Sequence, residues 1–185
     1  MRLYALCDHD VLHSKGVSFT QFINTVKSFN GEIVQYRNKT GDIAAIKNDL
    51  IQLRRLWDGF LIVNDHYELA SFCDGVHIGQ EDLYAMDSNP VRAISILKMA
   101  IGNDKIIGLS THNAREIEIA NTLDVNYIGL GAYRATSTKS EAKVLGAQLD
   151  DMAKLSHHPV AAIGGVKLED TFHYVTYHVI GSGLL

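Results

Sequence analysis

Proline, cysteine and tryptophan are scarce in this sequence: two, two and one in 185 residues. The two cysteines, Cys7 and Cys73, sit in apolar runs, which excludes the disulfide framework of a small secreted domain. No low-complexity stretch or charge run divides the chain, and its length fits one domain of residues 1–185. A domain of this size hides roughly 70% of its unfolded-chain surface. No apolar run reaches the ~18–20 residues of a membrane span. The apolar stretch before Asp8 is too short for a signal peptide, so a cytoplasmic protein is expected, with no membrane contact. Basic residues are not in surplus: 17 Lys and Arg face 21 Asp and Glu, a net charge of −4. That balance argues against a nucleic-acid partner. With 46% hydrophobic and 21% charged residues, disorder is excluded as the main state.

What is present is an alternation. Short apolar runs rich in β-branched and aromatic residues recur at Leu3–Cys7, Glu32–Gln35, Gly59–Val63, Gly75–Ile78, Lys105–Gly108, Asn126–Gly129, Val160–Ile163 and Tyr177–Ile180. Helical spacing fills the stretches between them. Phe19, Phe22, Ile23 and Val26 form one stripe, as do Ile43, Ile46, Leu50 and Leu53. Val91, Ile94 and Leu97 follow the same rule, then Ile117 and Ala120, and Pro90 opens a helix after Asn89. Near-continuous apolar strands between helices predict a parallel sheet covered on its faces. Eight units favour a closed (β/α)₈ TIM barrel over an open doubly wound sheet. Only Gly181–Leu185 follow the last strand. The fold expected is therefore a minimal barrel without its last outer helix, its flank covered by a second copy in a homodimer.

In such a barrel the catalytic face is built at the C-terminal ends of the strands. After the second strand, Gln35, Arg37 and Lys39 alternate, which in an extended segment puts them on one face. Two cations and an amide there suit a diphosphate, Arg by its fork and Lys as a point charge; a solvated strand end is the plain alternative. Asn64-Asp65 ends the third strand and Gly79-Gln80-Glu81-Asp82 the fourth. Two carboxylates a strand apart suit Mg²⁺, which fills its shell with phosphate and water. Taken alone, Asp65 reads as a helix cap; beside Asp82 and the cations, the metal reading moves ahead. Ser110, Thr111 and His112 end the fifth strand, with Ser110 or Thr111 also available as caps for a helix near Ala114. The sixth strand leads into Thr136-Ser137-Thr138-Lys139, a hydroxyl-rich loop that can fold over an anion. Gly164-Gly165 and Gly181-Ser182-Gly183 end the last two strands, where backbone N–H groups form a common barrel phosphate site. The mouth thus offers a metal-linked anion site facing a neutral one, as two phosphorylated substrates would need.

These segments resemble the thiamine phosphate synthase family over nearly the whole chain. The resemblance rests on Val34–Lys39, Ile62–Asp65, Asp74–Asp82, Gly108–His112, Tyr127–Gly131 with Thr136–Lys139, and Ala162–Val166. It implies a transferase that joins a hydroxymethylpyrimidine diphosphate to a thiazole phosphate and releases pyrophosphate, by a dissociative path. By resemblance, Gln35, Arg37, Lys39, Asn64, Ser110 and Lys139 hold the diphosphate, and Asp65 and Asp82 the Mg²⁺. Thr136, Thr138, Gly164 and the Gly181-Ser182 turn take the thiazole phosphate. Arg37, Lys39, Ser110 and Lys139 are the catalytic set, and the Ala132–Ser140 loop is the expected lid. Asn38, His66, Ala132 and Ala135 depart from the family's usual residues. Two alternatives are weighed against this reading: the related thiazole tautomerase, with His112 as its base, and a non-catalytic paralogue that binds thiazole phosphate or thiamine phosphate.

Overall fold

The computed structural model describes residues 2–135 and 144–185. Eight parallel strands close into a barrel in sequence order: β1 (Arg2–Asp8), β2 (Ile33–Arg37), β3 (Phe60–Asn64), β4 (Gly75–Ile78), β5 (Ile106–Thr111), β6 (Tyr127–Leu130), β7 (Val160–Ala162) and β8 (Tyr177–Ile180). Each coincides with an apolar run, because a strand buried on both faces needs apolar side chains at both parities. One parity fills the barrel with Tyr4, Ile33, Ile62, Tyr127, Ala161 and Val179. The other packs outward, Val34, Leu61, Val76, Ile107 and Ile128 among them, against the surrounding helices. The closing pair sets Tyr4 against Val179 across β1 and β8.

The helices follow from their caps and stripes. α1 (His9–Lys15) starts on Asp8 and stops at Gly16, whose left-handed φ of 64° suits glycine. α2 (Phe19–Ser28) opens with a reciprocal Ser18–Gln21 capping box and buries Phe22, Ile23 and Val26. α3 (Ile43–Leu56) is capped by Asp42 and buries Ile46, Leu50 and Leu53. A 3₁₀ segment, Tyr67–Phe72, joins β3 to β4. α4 (Gln80–Met86) and α5 (Pro90–Ile101) link β4 to β5, with Pro90 at the first helical position after the Asn89 cap. α6 (Ala114–Ala120) and α7 (Gln148–Ala153) follow β5 and β6.

The alternation departs from expectation in several places. Ile43 and Val91 belong to their stripes by spacing but lie in the first turns of their helices, and both are exposed. β1 is followed by two helices, and β3 by 3₁₀ turns in place of an α-helix. No helix lies between β7 and β8 among the described residues. There Asp150 of α7 accepts the N–H groups of His173 and Tyr174, and Phe172 packs on the wall. After β8 comes a single 3₁₀ turn, Ser182–Leu184. Among the described residues no helix is long and apolar enough to cross a membrane.

Candidate active site

Parallel register carries inward parity from strand to strand up to the mouth. Gln35 pairs with Leu6, and Arg37 with Asp8. Gln35 is buried, and the Arg37 guanidinium donates to Asp8 Oδ2. Asp8, only 5% exposed, also accepts the Val11 N–H through Oδ1 at 3.2 Å. One carboxylate therefore starts α1 and aims the arginine. Sequence reasoning passed over Asp8, although the strand-end rule applied to β1 would have found it.

Lys39 is not on the strand face with Gln35 and Arg37. β2 ends at Arg37, and Lys39 stands exposed in the turn beyond. That turn is built by Asn38, whose Oδ1 accepts the N–H groups of Gly41 at 2.7 Å and Thr40 at 3.1 Å. Its Nδ2 donates to the Tyr36 hydroxyl, which in turn donates to Asp49 of α3. Side chains around the turn thus hold Lys39 at the rim.

Asp65 lies just past β3 with a left-handed φ of 64°, a conformation Asp and Asn tolerate better than most residues. It is no helix cap: the 3₁₀ segment is preceded by His66 and has no side-chain cap. Burial raises the Asp65 pKa, and the neighbouring Asp82 carboxylate raises it further, against Lys39, Arg37 and His66. Asp82, in the first turn of α4, accepts the Gly79 N–H at 3.0 Å through Oδ2. Two carboxylates that repel each other, flanked by cations that reach the same charge, fit a Mg²⁺ that brings its own phosphate and water ligands. Among the described residues no group of three or more His, Cys, Asp and Glu forms a self-sufficient metal cage. Asn64 stands at the end of β3, in register with His77.

Ser110 is not a helix cap; its Oγ lies 2.9 Å from His77 Nε2. The Ser110 carbonyl accepts from Gln80 Nε2 at 2.6 Å. Thr111 is buried and donates to the Gly129 carbonyl at 2.9 Å, leaving Asn113 as the cap of α6. His112 sits 2.9 Å from Glu116, held against the start of α6. His77 appeared in the sequence only as part of a motif, with no role.

The opposite side of the mouth uses backbone. Thr136, Thr138 and Lys139 lie outside the described residues, as does most of the expected lid. Tyr133 and Arg134 donate their N–H groups to the carbonyls of Ile163 and Gly164, each at 2.8 Å. Leu145 returns to Ala132 at 2.8 Å. Arg134 forms a bidentate pair with Asp170 at 2.6 and 2.7 Å and reaches the Gly165 carbonyl at 2.7 Å. Gly164 and Gly165 adopt φ of 90° and 65°, and a Cβ on Gly164 would stand 2.7 Å from that of Ala132. Gly181 and Ser182 form the turn after β8, where the Ser182 carbonyl accepts from Lys15 at 3.2 Å.

Two cavities lie in different parts of the barrel. One of about 10 Å³ lies inside the barrel between Tyr4, Gln35, His77, Tyr127 and Gly129. The larger, about 440 Å³, is on the outer wall beside α3. Arg54 in that outer cavity is already engaged by Asp74 and by the carbonyls of Trp57 and Gly59. The chemistry converges on the strand ends, so the outer cavity is not the active site.

The barrel, with polar residues gathered at the C-terminal ends of its strands, defines the class: a barrel enzyme acting on small molecules. Residues 3–181 match the family profile described as thiamine monophosphate synthase. The chain is 33% identical over 172 residues to thiamine-phosphate synthase of Persephonella marina, covering 90% of this chain and 77% of that one. It is 34% identical to the Lawsonia intracellularis thiamine-phosphate synthase, covering 89% of this chain and 74% of that one. A solved thiamine phosphate pyrophosphorylase from Pyrococcus furiosus shares the fold, with TM-score 0.79 and 22% identity over 98% of this chain and 87% of that one. The chain belongs to the thiamine monophosphate synthase family, and is a transferase of thiamine biosynthesis.

Proposed function

We propose that this chain condenses 4-amino-5-hydroxymethyl-2-methylpyrimidine diphosphate with 4-methyl-5-(2-phosphoethyl)thiazole, yielding thiamine phosphate and pyrophosphate. The observation that carries this reading is the pairing of Asp65 and Asp82 within electrostatic reach of Arg37 and Lys39. Pyrophosphate leaves as the C–O bond to the pyrimidine methylene breaks, and the thiazole nitrogen then forms the new C–N bond. Negative charge grows on the leaving oxygen, so a preorganised cationic site lowers the barrier. Asp65 and Asp82 would hold Mg²⁺, which supplies charge neutralisation and a template for the diphosphate.

Arg37, aimed by Asp8, grips the diphosphate, with Lys39 at the rim and Lys139 completing the catalytic cations. Gln35 and Asn64 present amides to the pyrimidine diphosphate, and Ser110 a hydroxyl. Thr136, Thr138, Gly164, Gly181 and Ser182 take the thiazole phosphate, where the left-handed Gly164 lets backbone approach the anion. No general base is required, in keeping with a His112 held by Glu116; nothing in the geometry favours the tautomerase. A cytoplasmic location and a homodimer covering the flank after β8, where no outer helix follows, belong to the same proposal, and a solution mass of one chain would remove the dimer.

The test mixes the purified protein with both substrates and Mg²⁺ and follows both products. Thiamine phosphate and pyrophosphate should appear in equal amounts and stop on adding EDTA. Absence of both from folded protein would overturn the reading, and continued turnover in EDTA would remove the metal from it.

A further inference from the structure

Just past β7 the backbone leaves the strand pattern. Ile163 donates its N–H to the Leu130 carbonyl at 3.0 Å and accepts from the Tyr133 N–H at 2.8 Å, both on the β6 side, as in a parallel ladder. In a continuing strand the next carbonyl would face the other neighbour, β8. Instead the Gly164 carbonyl accepts from the Arg134 N–H at 2.8 Å, and the Gly165 carbonyl from the Arg134 guanidinium at 2.7 Å. Three consecutive carbonyls are thus turned onto Tyr133 and Arg134. The φ values of 90° at Gly164 and 65° at Gly165 make that turn, and glycine allows it.

A planar trans peptide carries its N–H on the edge opposite its carbonyl. The N–H groups of Gly164, Gly165 and Val166 therefore all face away from Tyr133 and Arg134. Successive N–H groups turned one way make an anion-binding concavity. Its shape depends on whatever holds the three carbonyls back.

That hold is built from several directions. Leu145 and Gly146 donate to the Ala132 and Tyr133 carbonyls at 2.8 and 3.1 Å, pinning the segment from its other edge. The Arg134 guanidinium lies over the Tyr133 ring, 4.3 Å from its centroid. Asp170 grips the same guanidinium with both oxygens, and its Oδ2 also accepts the Lys167 N–H at 2.8 Å. Arg134 holds the Asp170 carboxyl below the usual carboxylate range, against the effect of burial, so the pair stays charged. The approach is close: a Cβ at Gly165 would stand 2.8 Å from that of Arg134. A guanidinium only donates, so the direction of its bond to the Gly165 carbonyl is fixed. A cation on a carbonyl oxygen also polarises the peptide and strengthens the N–H on its far edge, here that of Val166.

We infer that Arg134 and Asp170 are positioning residues for the thiazole phosphate: the carboxylate fixes the guanidinium, and Arg134 fixes the peptides whose N–H groups receive the anion. The inference rests on the reading of Gly164 as a thiazole phosphate contact. It separates sharply from a direct role for the arginine. Were Arg134 itself a ligand, Asp170 would compete with the phosphate for it, and removing the carboxylate would tighten binding.

Steady-state kinetics with both substrates and Mg²⁺ test this. Arg134→Ala and Asp170→Asn should each raise the thiazole phosphate KM about tenfold, with kcat and the pyrimidine KM unchanged. The double variant should be no worse than the poorer single variant. A thiazole KM that holds in both single variants overturns the inference, and so do losses that multiply in the double variant. A fall in that KM in Asp170→Asn overturns it in favour of direct contact by Arg134. A lower kcat with both KM values held would make the pair a structural clamp only, which also overturns it. Gly164→Ala separates the two readings. If it raises the thiazole KM while the Arg134 and Asp170 variants do not, the inference falls and the subsite reading stands. If it shifts the pyrimidine KM alone, the subsite reading falls and takes the inference with it. Should Arg134→Ala fail to fold, Arg134→Lys, which keeps the charge and loses the fork, takes its place with the same rise expected.

Discussion

The two sides of the barrel mouth are built differently. On the β2–β5 side, charged and amide side chains stand on strand ends and are aimed by other side chains: Arg37 by Asp8, the Lys39 turn by Asn38, Ser110 by His77. On the β6–β8 side, the structure is backbone: paired N–H and carbonyl groups, two left-handed glycines, and an Arg134–Asp170 clamp that ties one loop to the next. On the proposed function the first side would meet a diphosphate whose charge grows during reaction, which calls for fixed charges. On the same proposal the second would meet a phosphate that does not react, which asks less of fixed charge. On that reading one side would respond to bond breaking and the other would only hold.

The comparison is broken most severely at Arg37. Arg37→Ala should lower kcat by about 10²–10³-fold, with little change in the KM of the thiazole partner. It also strands the buried Asp8 carboxylate, which should cost about 3 kcal/mol of stability in a urea melt. Adding Asp8→Asn should return most of the stability and none of the turnover. If the double variant regained turnover, Arg37 would be structural.

A change of similar size in the chain, but not in effect, lies across the mouth. Gly164→Ala forces a Cβ against Ala132 at an unfavourable φ and should destabilise by about 1–3 kcal/mol. Steady-state kinetics should show the thiazole KM rising about tenfold with the pyrimidine KM held. A rise in the pyrimidine KM alone would move this turn to the other substrate.

The smallest effect tests whether the backbone side carries any charge dependence of its own. His178, on β8, is 4% exposed, has an Nδ1 with no partner among the described residues, and packs edge-on against Phe172. Burial lowers its pKa below the usual 6.5, against the opposing pull of Asp170. The folded state therefore prefers neutral imidazole, so this contribution to stability is complete above pH 6.5 and is lost as pH falls through the lowered value. His178→Phe should flatten the decline of melting temperature as pH falls below about 6.5 without altering turnover. An unchanged acid limb would show that the imidazole titrates without consequence.

How legible each side was from sequence follows the same division. All eight strands could be read because burial on both faces leaves apolar runs, and Gln35, Arg37, Asn64 and Ser110 could be placed because a strand end needs only local parity. The partners that aim them could not. Asp8 reaches Arg37 across 29 positions, a distance that only the folded barrel brings to contact. Lys39 was misplaced because alternation was carried past the end of β2, where Asn38 turns the chain. The missing helix between β7 and β8 was hidden for a related reason: Phe172, Val175 and Leu168 supply the apolar cover that a helix would, and composition cannot tell a packed loop from a short helix. For Asp65, capping was the better local reading, and only its placement beside Asp82 separates the two.

The most direct test of the central claim is the binding of pyrophosphate to the chain, measured calorimetrically with and without Mg²⁺, for wild type and Asp65→Asn. Asn keeps the left-handed backbone and removes only the charge. Tight binding that requires Mg²⁺ in wild type and disappears in Asp65→Asn is the result predicted. Binding of equal strength without Mg²⁺, or unchanged in Asp65→Asn, would contradict the account that the β2–β5 side is a metal-linked diphosphate site.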